Sequence, residues 1–179
     1  RSVVVSKIVG GKGYMLCLAC ETDFVAKNSE FSATANEILE IAVKADAADL
    51  EALKAVSVEA GRTVADKVTE KSGQTGEKVE LVYYAKIEAP MCVTYIHTNH
   101  KLGVLVGFNK EIAMETAKDV AMQAAAMAPI AIDRGDCDPA VVEKEREIGR
   151  EQARLDGKPE AMLDKIAEGK VNKFLTENT

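Results

Sequence analysis

The sequence predicts an α+β protein: two small subdomains, each an antiparallel sheet with helices, and a protruding antiparallel two-helix coiled-coil arm. Three observations support this fold class. Apolar, strand-like runs come in pairs separated by short turns, at residues 3–20 and again at residues 92–108. Each pair is followed by apolar residues at helical spacing. Beyond residue 138 the chain is densely charged, and Asp156-Gly157-Lys158-Pro159 separates two helical segments there.

The first subdomain begins with a predicted hairpin and a helix. Residues 3–9 and 14–20 are expected to pair as strands around a glycine-rich turn, since glycine adopts the positive φ of tight turns. A helix over residues 29–44 follows, with its N-cap at Asn28 or Ser29. Its predicted buried face consists of Phe31, Ala35, Ile38, Leu39 and Ala42.

The rest of this subdomain is predicted as two helices and one strand. Asp49 is expected to cap a short helix over residues 50–56, and residues 58–71 are predicted to be largely helical. A loop over residues 72–76 ends that helix. Alternating apolar residues at 79–87 predict a half-buried third strand beside the hairpin. The side chains expected on its buried face are Val79, Leu81, Tyr83, Ala85 and Ile87.

The second subdomain repeats the order of hairpin and helix. Strands are predicted at residues 92–97 and 102–108, with a turn at residues 98–101 between them. Asn109 is expected to cap a helix that Pro129 stops, because proline cannot continue a helix. The residues expected to pack closely in this helix are Ala124, Ala125 and Ala126.

The last segment is predicted to form a helical hairpin. Pro139 suits the first position of a helix, and Pro159 starts the second one after the turn. The predicted apolar seam is thin: Val141, Ile148 and Leu155 on the first helix, and Met162, Ile166 and Phe174 on the second. A thin seam favours an arm over core. The predicted domains are residues 1–89, residues 90–134 and residues 135–179.

Composition and charge disfavour several classes of function. Lys+Arg 23 against Asp+Glu 29 gives a net charge of −6, so no nucleic-acid partner is predicted. No apolar run reaches the roughly 20 residues of a membrane helix, and no signal peptide is recognisable. Four cysteines in a chain of this length favour reduced thiols and a cytoplasmic protein, not a disulfide scaffold.

The residues with reactive or ligating side chains do not form a recognisable catalytic set. Cys17 and Cys20 have the spacing of a redox pair, but within a strand their side chains point to opposite faces. Packing is the favoured interpretation, and a thiol oxidoreductase is the alternative. His97 and His100 lack further ligands, so no metal is predicted. Neither catalytic residues nor a cofactor is expected.

One polar and aromatic motif stands between the first hairpin and its helix. Phe24 in Thr22-Asp23-Phe24-Val25-Ala26-Lys27 has two interpretations. It either folds under the loop as core or stands exposed as an anchor for a protein partner.

This motif, together with others in order along nearly the whole chain, resembles the bacterial elongation factor Ts family. The further matching motifs are Thr75-Gly76-Glu77, Tyr95-Ile96-His97, Leu102-Gly103-Val104-Leu105-Val106, Val120-Ala121-Met122, Val142-Glu143-Lys144-Glu145, Gly157-Lys158-Pro159 and Glu168-Gly169-Lys170-Val171-Asn172-Lys173-Phe174. The resemblance implies a guanine-nucleotide exchange factor, not an enzyme in the usual sense. Its partner would be the GDP-bound GTPase elongation factor Tu, and its arm would be the family's coiled-coil protrusion.

The resemblance also implies which residues contact the GTPase. They are Thr22, Asp23, Phe24, Val25, Ala26 and Lys27, with Thr75, Gly76 and His97 on an adjacent surface. The family carries an aliphatic residue where Thr75 stands. Family members usually also have a small three-helix module before this region and a further stretch beyond the arm. Without that stretch, the second subdomain is expected to expose a sheet edge that would permit homodimer formation. A non-catalytic protein-binding fragment remains the alternative function.

Overall fold

The computed structural model describes residues 1–97 and 100–179. Their contacts divide the chain into two compact units, Arg1–Ala125 and Ala126–Thr179. The α+β class is confirmed, with two small antiparallel sheets and seven α-helices among the described residues. The predicted three-part division of the chain stays a prediction. None of the helices in the described part of the chain is long and apolar enough to span a membrane.

The first unit contains a three-stranded antiparallel sheet in the order β1-β2-β3. Its strands are β1 (Ser2–Val9), β2 (Lys12–Ala19) and β3 (Glu80–Glu88). The predicted hairpin and its third strand are therefore confirmed. The most deeply buried side chains of this core include Leu16, Leu18, Phe31, Ile38 and Leu53. Because aliphatic side chains fill one face of the sheet, that face needs a helical cover.

A β-bulge changes which side of β3 is buried. Leu81 pairs with Leu18 and Tyr83 pairs with Cys17, so Val82 is an extra residue in β3. Beyond the bulge the alternation is shifted by one residue. The prediction that Tyr83 faces the core is therefore wrong: it is 55% exposed, whereas Tyr84 is buried and its hydroxyl donates to the Ala47 carbonyl at 2.7 Å.

Four helices lie between β2 and β3 in the chain: α1 (Asp23–Ala26), α2 (Ser29–Ala45), α3 (Leu50–Lys54) and α4 (Val64–Thr75). Asn28 caps α2 and Asp49 caps α3, as predicted. Helix α4 starts later than predicted because Thr63 and Asp66 form a capping box at Val64. It also continues past residue 72 and ends at Gly76, whose φ of 71° suits glycine. The predicted loop over residues 72–76 is wrong.

The second sheet consists of β4 (Met91–Ile96) and β5 (Gly103–Phe108), which pair antiparallel as predicted. Part of the predicted turn at residues 98–101 lies outside the described residues. The sheet packs on the first sheet at two glycines. A Cβ on Gly103 would lie 2.6 Å from a Val4 methyl carbon, and a Cβ on Gly13 would lie 2.6 Å from a Leu105 methyl carbon.

Helix α5 (Met114–Met127) starts five residues after Asn109, so the predicted cap is wrong. The segment before it stays irregular, and the Ile112 amide donates to Met91 Sδ at 3.4 Å. Ala117 and Ala121 are its buried residues and pack in the cluster around Val93. The prediction of close packing at residues 124–126 is wrong, since Ala126 is exposed and Ala124 and Ala125 are only half-buried.

The second unit contains the predicted helical hairpin, α6 (Pro139–Leu155) and α7 (Leu163–Asn178). Asp138 caps α6, and Pro139 occupies its start as predicted. That the hairpin protrudes from the sheets stays a prediction. Two short 3₁₀ turns, Arg134–Asp136 and Glu160–Met162, precede the helices.

The seam between α6 and α7 differs from the predicted one. Its buried residues are Gly149, Ala153, Leu163, Ala167, Val171 and Leu175. Val141, Ile148, Leu155 and Met162 are exposed instead. The reason is that small residues allow a closer approach of the helices: a Cβ on Gly149 would lie only 3.1 Å from Ala167 Cα. Ion pairs flank this seam, with Arg150 Nε 2.7 Å from Asp164 Oδ1.

Candidate protein-binding site

The motif at residues 22–27 forms a one-turn helix, not the loop that the sequence suggested. Thr22 is the N-cap of α1, and its Oγ1 accepts from the Val25 amide at 3.4 Å. At the other end, the Lys27 amide donates to the Asp23 carbonyl at 3.0 Å. Asn28, the next residue, is the N-cap of α2, so the end of α1 and the start of α2 are capped by adjacent residues.

Phe24 projects from this helix into solvent and is 90% exposed. The alternative that it folds back into the core is therefore wrong. Its neighbours Val25 and Ala26 are half-buried and pack against the main core. Because successive residues of a helix point about 100° apart, burying these two leaves Phe24 on the outer side. An exposed aromatic ring beside a carboxylate can serve as an anchor for a protein partner.

The carboxylate beside Phe24 is held by two cations. Asp23 Oδ1 lies 3.1 Å from Arg1 Nε and 3.1 Å from Lys101 Nζ. The hydrogen bond from Lys101 is the main reason that the pKa of Asp23 is lowered from its usual value. Asp23 therefore stays ionised at neutral pH. Its position at the start of α1 also suits a negative charge, because the helix dipole is positive there.

Glu77 contacts the start of the same helix, although the sequence analysis did not select it as a site residue. Its Oε1 accepts from the amides of Glu21 and Thr22 at 3.1 and 3.0 Å, and its Oε2 accepts from the Thr22 hydroxyl at 2.6 Å. That hydroxyl contact is the main cause of the lowered pKa of Glu77. Only its presence in the Thr75-Gly76-Glu77 motif could have indicated it.

The end of α4 lies next to the motif. Thr75 and Val25 line the same cleft of about 360 Å³, together with Asn28 and Phe31. The Thr75 hydroxyl donates to the Lys71 carbonyl at 3.0 Å, and Gly76 ends the helix. The structure thus brings Thr75 and Gly76 beside α1, where the sequence had placed them only by resemblance.

His97 lies at the end of β4 and is exposed. Its Nδ1 is 3.2 Å from the Tyr95 hydroxyl. Among the described residues its connection to the motif is indirect. The His97 carbonyl accepts from the His100 amide, and the His100 carbonyl accepts from Val4 in β1. Lys101, the next residue, carries the contact to Asp23.

Lys27 is exposed at the end of the motif. Together with Asp23, Ala26 and Lys101 it lines a second cleft, of about 470 Å³. This cleft and the one beside Thr75 place polar groups on both sides of α1. Among the predicted contact residues from 22 to 27, Thr22, Phe24 and Lys27 are exposed, whereas Asp23, Val25 and Ala26 are half-buried.

The geometry around the cysteines disfavours thiol chemistry. Cys20 is buried, its Sγ donates to the Thr22 carbonyl at 3.3 Å, and burial raises the pKa of its thiol. A reactive thiol needs a lowered pKa and access to solvent. Both Cys17 and Cys20 are free thiols. Among residues 1–97 and 100–179, no group of three or more His, Cys, Asp or Glu side chains is arranged to hold a metal ion.

Comparison with known proteins shows which protein family this chain resembles. Residues 21–179 match the family model described as Elongation factor TS. The chain is 46% identical over 173 residues to elongation factor Ts of Cytophaga hutchinsonii, covering 95% of this chain and 62% of that protein. It is 47% identical over 170 residues to elongation factor Ts of Amoebophilus asiaticus, covering 93% and 61% respectively. The chain thus spans less than two thirds of the length of these relatives.

Proposed function

Because the chain belongs to the elongation factor Ts family, we propose that it acts as a guanine-nucleotide exchange factor for the translational GTPase elongation factor Tu. The family name assigns the chain to translation elongation, a part of protein biosynthesis. On this proposal the chain binds the GDP-bound GTPase in the cytoplasm and promotes GDP release, so that the GTPase can reload with GTP. It works by protein contact and hydrolyses no nucleotide.

The observation that carries this proposal is the exposure of Phe24. Its ring is 90% exposed, while the backbone beneath it is fixed by the Thr22 cap and by the packing of Val25 and Ala26. An apolar side chain on a fixed backbone loses less conformational entropy on binding than one on a mobile loop, so more of its burial energy is available for the complex. We infer that Phe24 inserts into an apolar gap beside the switch region of the GTPase.

Asp23 would serve the same contact by accepting hydrogen bonds from the GTPase. Its charge is already balanced by Arg1 and Lys101, so the partner need not neutralise it. Lys27 would contribute to the polar rim around the ring, and the exposed parts of the half-buried Val25 and Ala26 would border it. Polar groups around a central aromatic anchor exclude water from it, which strengthens its contribution.

Thr75, Gly76 and His97 would contact a neighbouring helix of the nucleotide domain. Thr75 and Gly76 lie at the end of α4, beside the cleft that Val25 lines. Displacing that GTPase helix would disturb both the phosphate loop and the Mg²⁺ site. The effect is a coupling free energy: if the chain weakens GDP binding, GDP weakens binding of the chain by the same factor.

A protein-binding fragment without exchange activity is the alternative function. It is favoured by one observation, that the chain spans only 61–62% of the length of its relatives. Contacts that lie elsewhere in those proteins would then be needed to expel GDP. Both functions require binding to the GTPase, and they differ in the rate of GDP release.

Release of a fluorescent GDP analogue from elongation factor Tu distinguishes the two functions. The labelled complex is mixed with excess unlabelled GDP, with and without this chain, and the release rate is followed by stopped flow. We expect the rate to rise with chain concentration and to saturate. Binding without faster release would support the fragment, and the absence of both would overturn both functions.

A further inference from the structure

Helix α1 is too short to be stable by itself. It contains only Asp23–Ala26, and none of its residues is fully buried. Because nucleating a helix is costly, a single turn persists only when outside contacts hold it. Packing of Val25 and Ala26 holds its inner side. Beyond the ion pairs of Asp23 with Arg1 and Lys101, further contacts just before its N-terminal end come from Glu77, two residues after the end of α4.

Glu77 supplies those contacts with one carboxylate. The amides of Glu21 and Thr22 and the Thr22 hydroxyl all donate to it, at 2.6–3.1 Å. The hydroxyl has a single hydrogen. Since that hydrogen goes to Glu77, the hydroxyl oxygen is left to accept from the Val25 amide as the helix cap. Glu77 thus fixes both the backbone before α1 and the orientation of its capping group.

We propose that Glu77 is a positioning residue that holds α1, and with it the Phe24 ring, in the orientation required for GDP release. This inference rests on the proposed exchange function. It adds a residue that would not touch the GTPase through its carboxylate but acts through Thr22. One side chain thereby joins the end of α4 to the start of α1 across 55 residues of sequence.

The charge of Glu77 matters more than its size. A glutamine has nearly the same shape, but its amide nitrogen cannot accept from the Thr22 hydroxyl. Glu77→Gln therefore loses or reverses the contact with the Thr22 hydroxyl and weakens the two amide contacts, since hydrogen bonds to an ionised acceptor are stronger. Glu80→Gln is the matched control, because it makes the same change three residues later, on an exposed carboxylate of β3.

Fluorescence anisotropy tests whether Glu77 holds the helix. The chain contains no tryptophan, so Phe24→Trp introduces a single reporter at the position of interest. We expect Glu77→Gln to lower the anisotropy of this indole, whereas Glu80→Gln leaves it unchanged. Thr22→Val should lower it as well, and Thr22→Ser should not, because serine retains the hydroxyl. Unchanged anisotropy in Glu77→Gln would overturn the inference, whatever the exchange activity of the chain.

GDP release from elongation factor Tu then tests the consequence in the chain with its native Phe24. Glu77→Gln should lower the maximal release rate at saturating chain by about tenfold, the effect of losing one charge-assisted hydrogen bond. Its melting temperature should fall by no more than about 4 °C, the shift for about 1 kcal/mol in a domain of this size. A lower anisotropy with an unchanged maximal rate would overturn the positioning role.

The two proposals fail in different ways. If the unmodified chain does not accelerate GDP release, the exchange function is wrong, and the anisotropy measurements still decide whether Glu77 holds α1. If the unmodified chain is active and Glu77→Gln matches Glu80→Gln in both measurements, the exchange function stands and the role of Glu77 is wrong.

Discussion

Replacing Phe24 by alanine removes the exposed ring while leaving the fold intact. The ring is 90% exposed in the free chain, so almost all of its burial takes place in the proposed complex. Burying a phenylalanine side chain contributes roughly 1.5–3 kcal/mol. At about 1.4 kcal/mol for each factor of ten, Phe24→Ala should slow GDP release at sub-saturating chain by about ten- to a hundredfold. The free chain should melt at nearly the same temperature as the unmodified protein.

Two control variants separate the loss of an anchor from the loss of stability. Phe31 is only 1% exposed and lies in the main core, so Phe31→Ala should destabilise the fold by about 3–5 kcal/mol. Tyr83 is 55% exposed on β3, outside the proposed site, so Tyr83→Ala should change neither melting nor exchange appreciably. Stopped-flow release of the fluorescent nucleotide and thermal unfolding by circular dichroism are measured for all three variants.

The opposite pattern would refute this reasoning. If Phe24→Ala melts far below the unmodified chain while its folded fraction exchanges GDP normally, Phe24 is a structural residue. If Phe24→Ala and Tyr83→Ala have equal release rates, the exposed ring is not the contact that drives exchange.

Three further predictions concern the arm, the thiols and an ionised cluster. Deleting residues 138–174 should leave the cooperative unfolding of residues 1–125 nearly unchanged, because α6 and α7 bury their seam against each other. Loss of the cooperative unfolding transition of residues 1–125 would contradict this prediction. Cys17→Ala with Cys20→Val should cost a few kcal/mol of stability at most, with exchange at saturation retained; loss of exchange in the folded variant would support thiol chemistry. Hydrogen bonds from Tyr14 and lysines hold the pKa of Asp46 below its usual 3.8. The ionised carboxylate therefore stabilises the fold above about pH 3.8, and this stabilisation is lost as the pH falls further. Asp46→Asn should therefore melt lower at pH 6 but lose less melting temperature between about pH 5 and pH 2, and an unchanged pH profile would contradict the assignment.

Features that depend on a few neighbouring residues were predictable from the sequence. Asn28 and Asp49 were recognised as helix caps because a short polar side chain must bond an amide two or three residues later. The buried face of α2 was also predicted, since its apolar residues recur at helical spacing. These signals need no knowledge of distant parts of the chain.

Features decided by distant contacts were not predictable in this way. The face of β3 was mistaken because an extra residue, Val82, shifts the alternation, and nothing in the local pattern marks it. The seam of the arm was mistaken because large residues such as Leu155 were preferred over Gly149 and Ala153. Small residues occupy the seam because they allow the two helices to approach closely. The packing that results depends on the partner helix, which the local sequence does not show.

The candidate site was predictable only in part for the same reason. The resemblance indicated Phe24, but its exposure depends on how Val25 and Ala26 pack on the core. Glu77 lies 55 residues from Thr22 in the chain, so no local pattern could connect them. Capping of a helix by a distant carboxylate becomes visible only once the fold has brought the two segments together.

The glycines between the two sheets have a consequence for how this sequence can change over evolution. A methyl group added at Gly103 would collide with Val4 and Met15, and one added at Gly13 would collide with Leu105. Such a change is tolerable only if a facing side chain becomes smaller at the same time. These positions therefore constitute a volume-conserving set, in which substitutions are expected to be inherited together. Drift at one of them alone would push β5 away from β1 and β2. Because β4 pairs with β5, the distance between His97 and the helix that carries Phe24 would change as well.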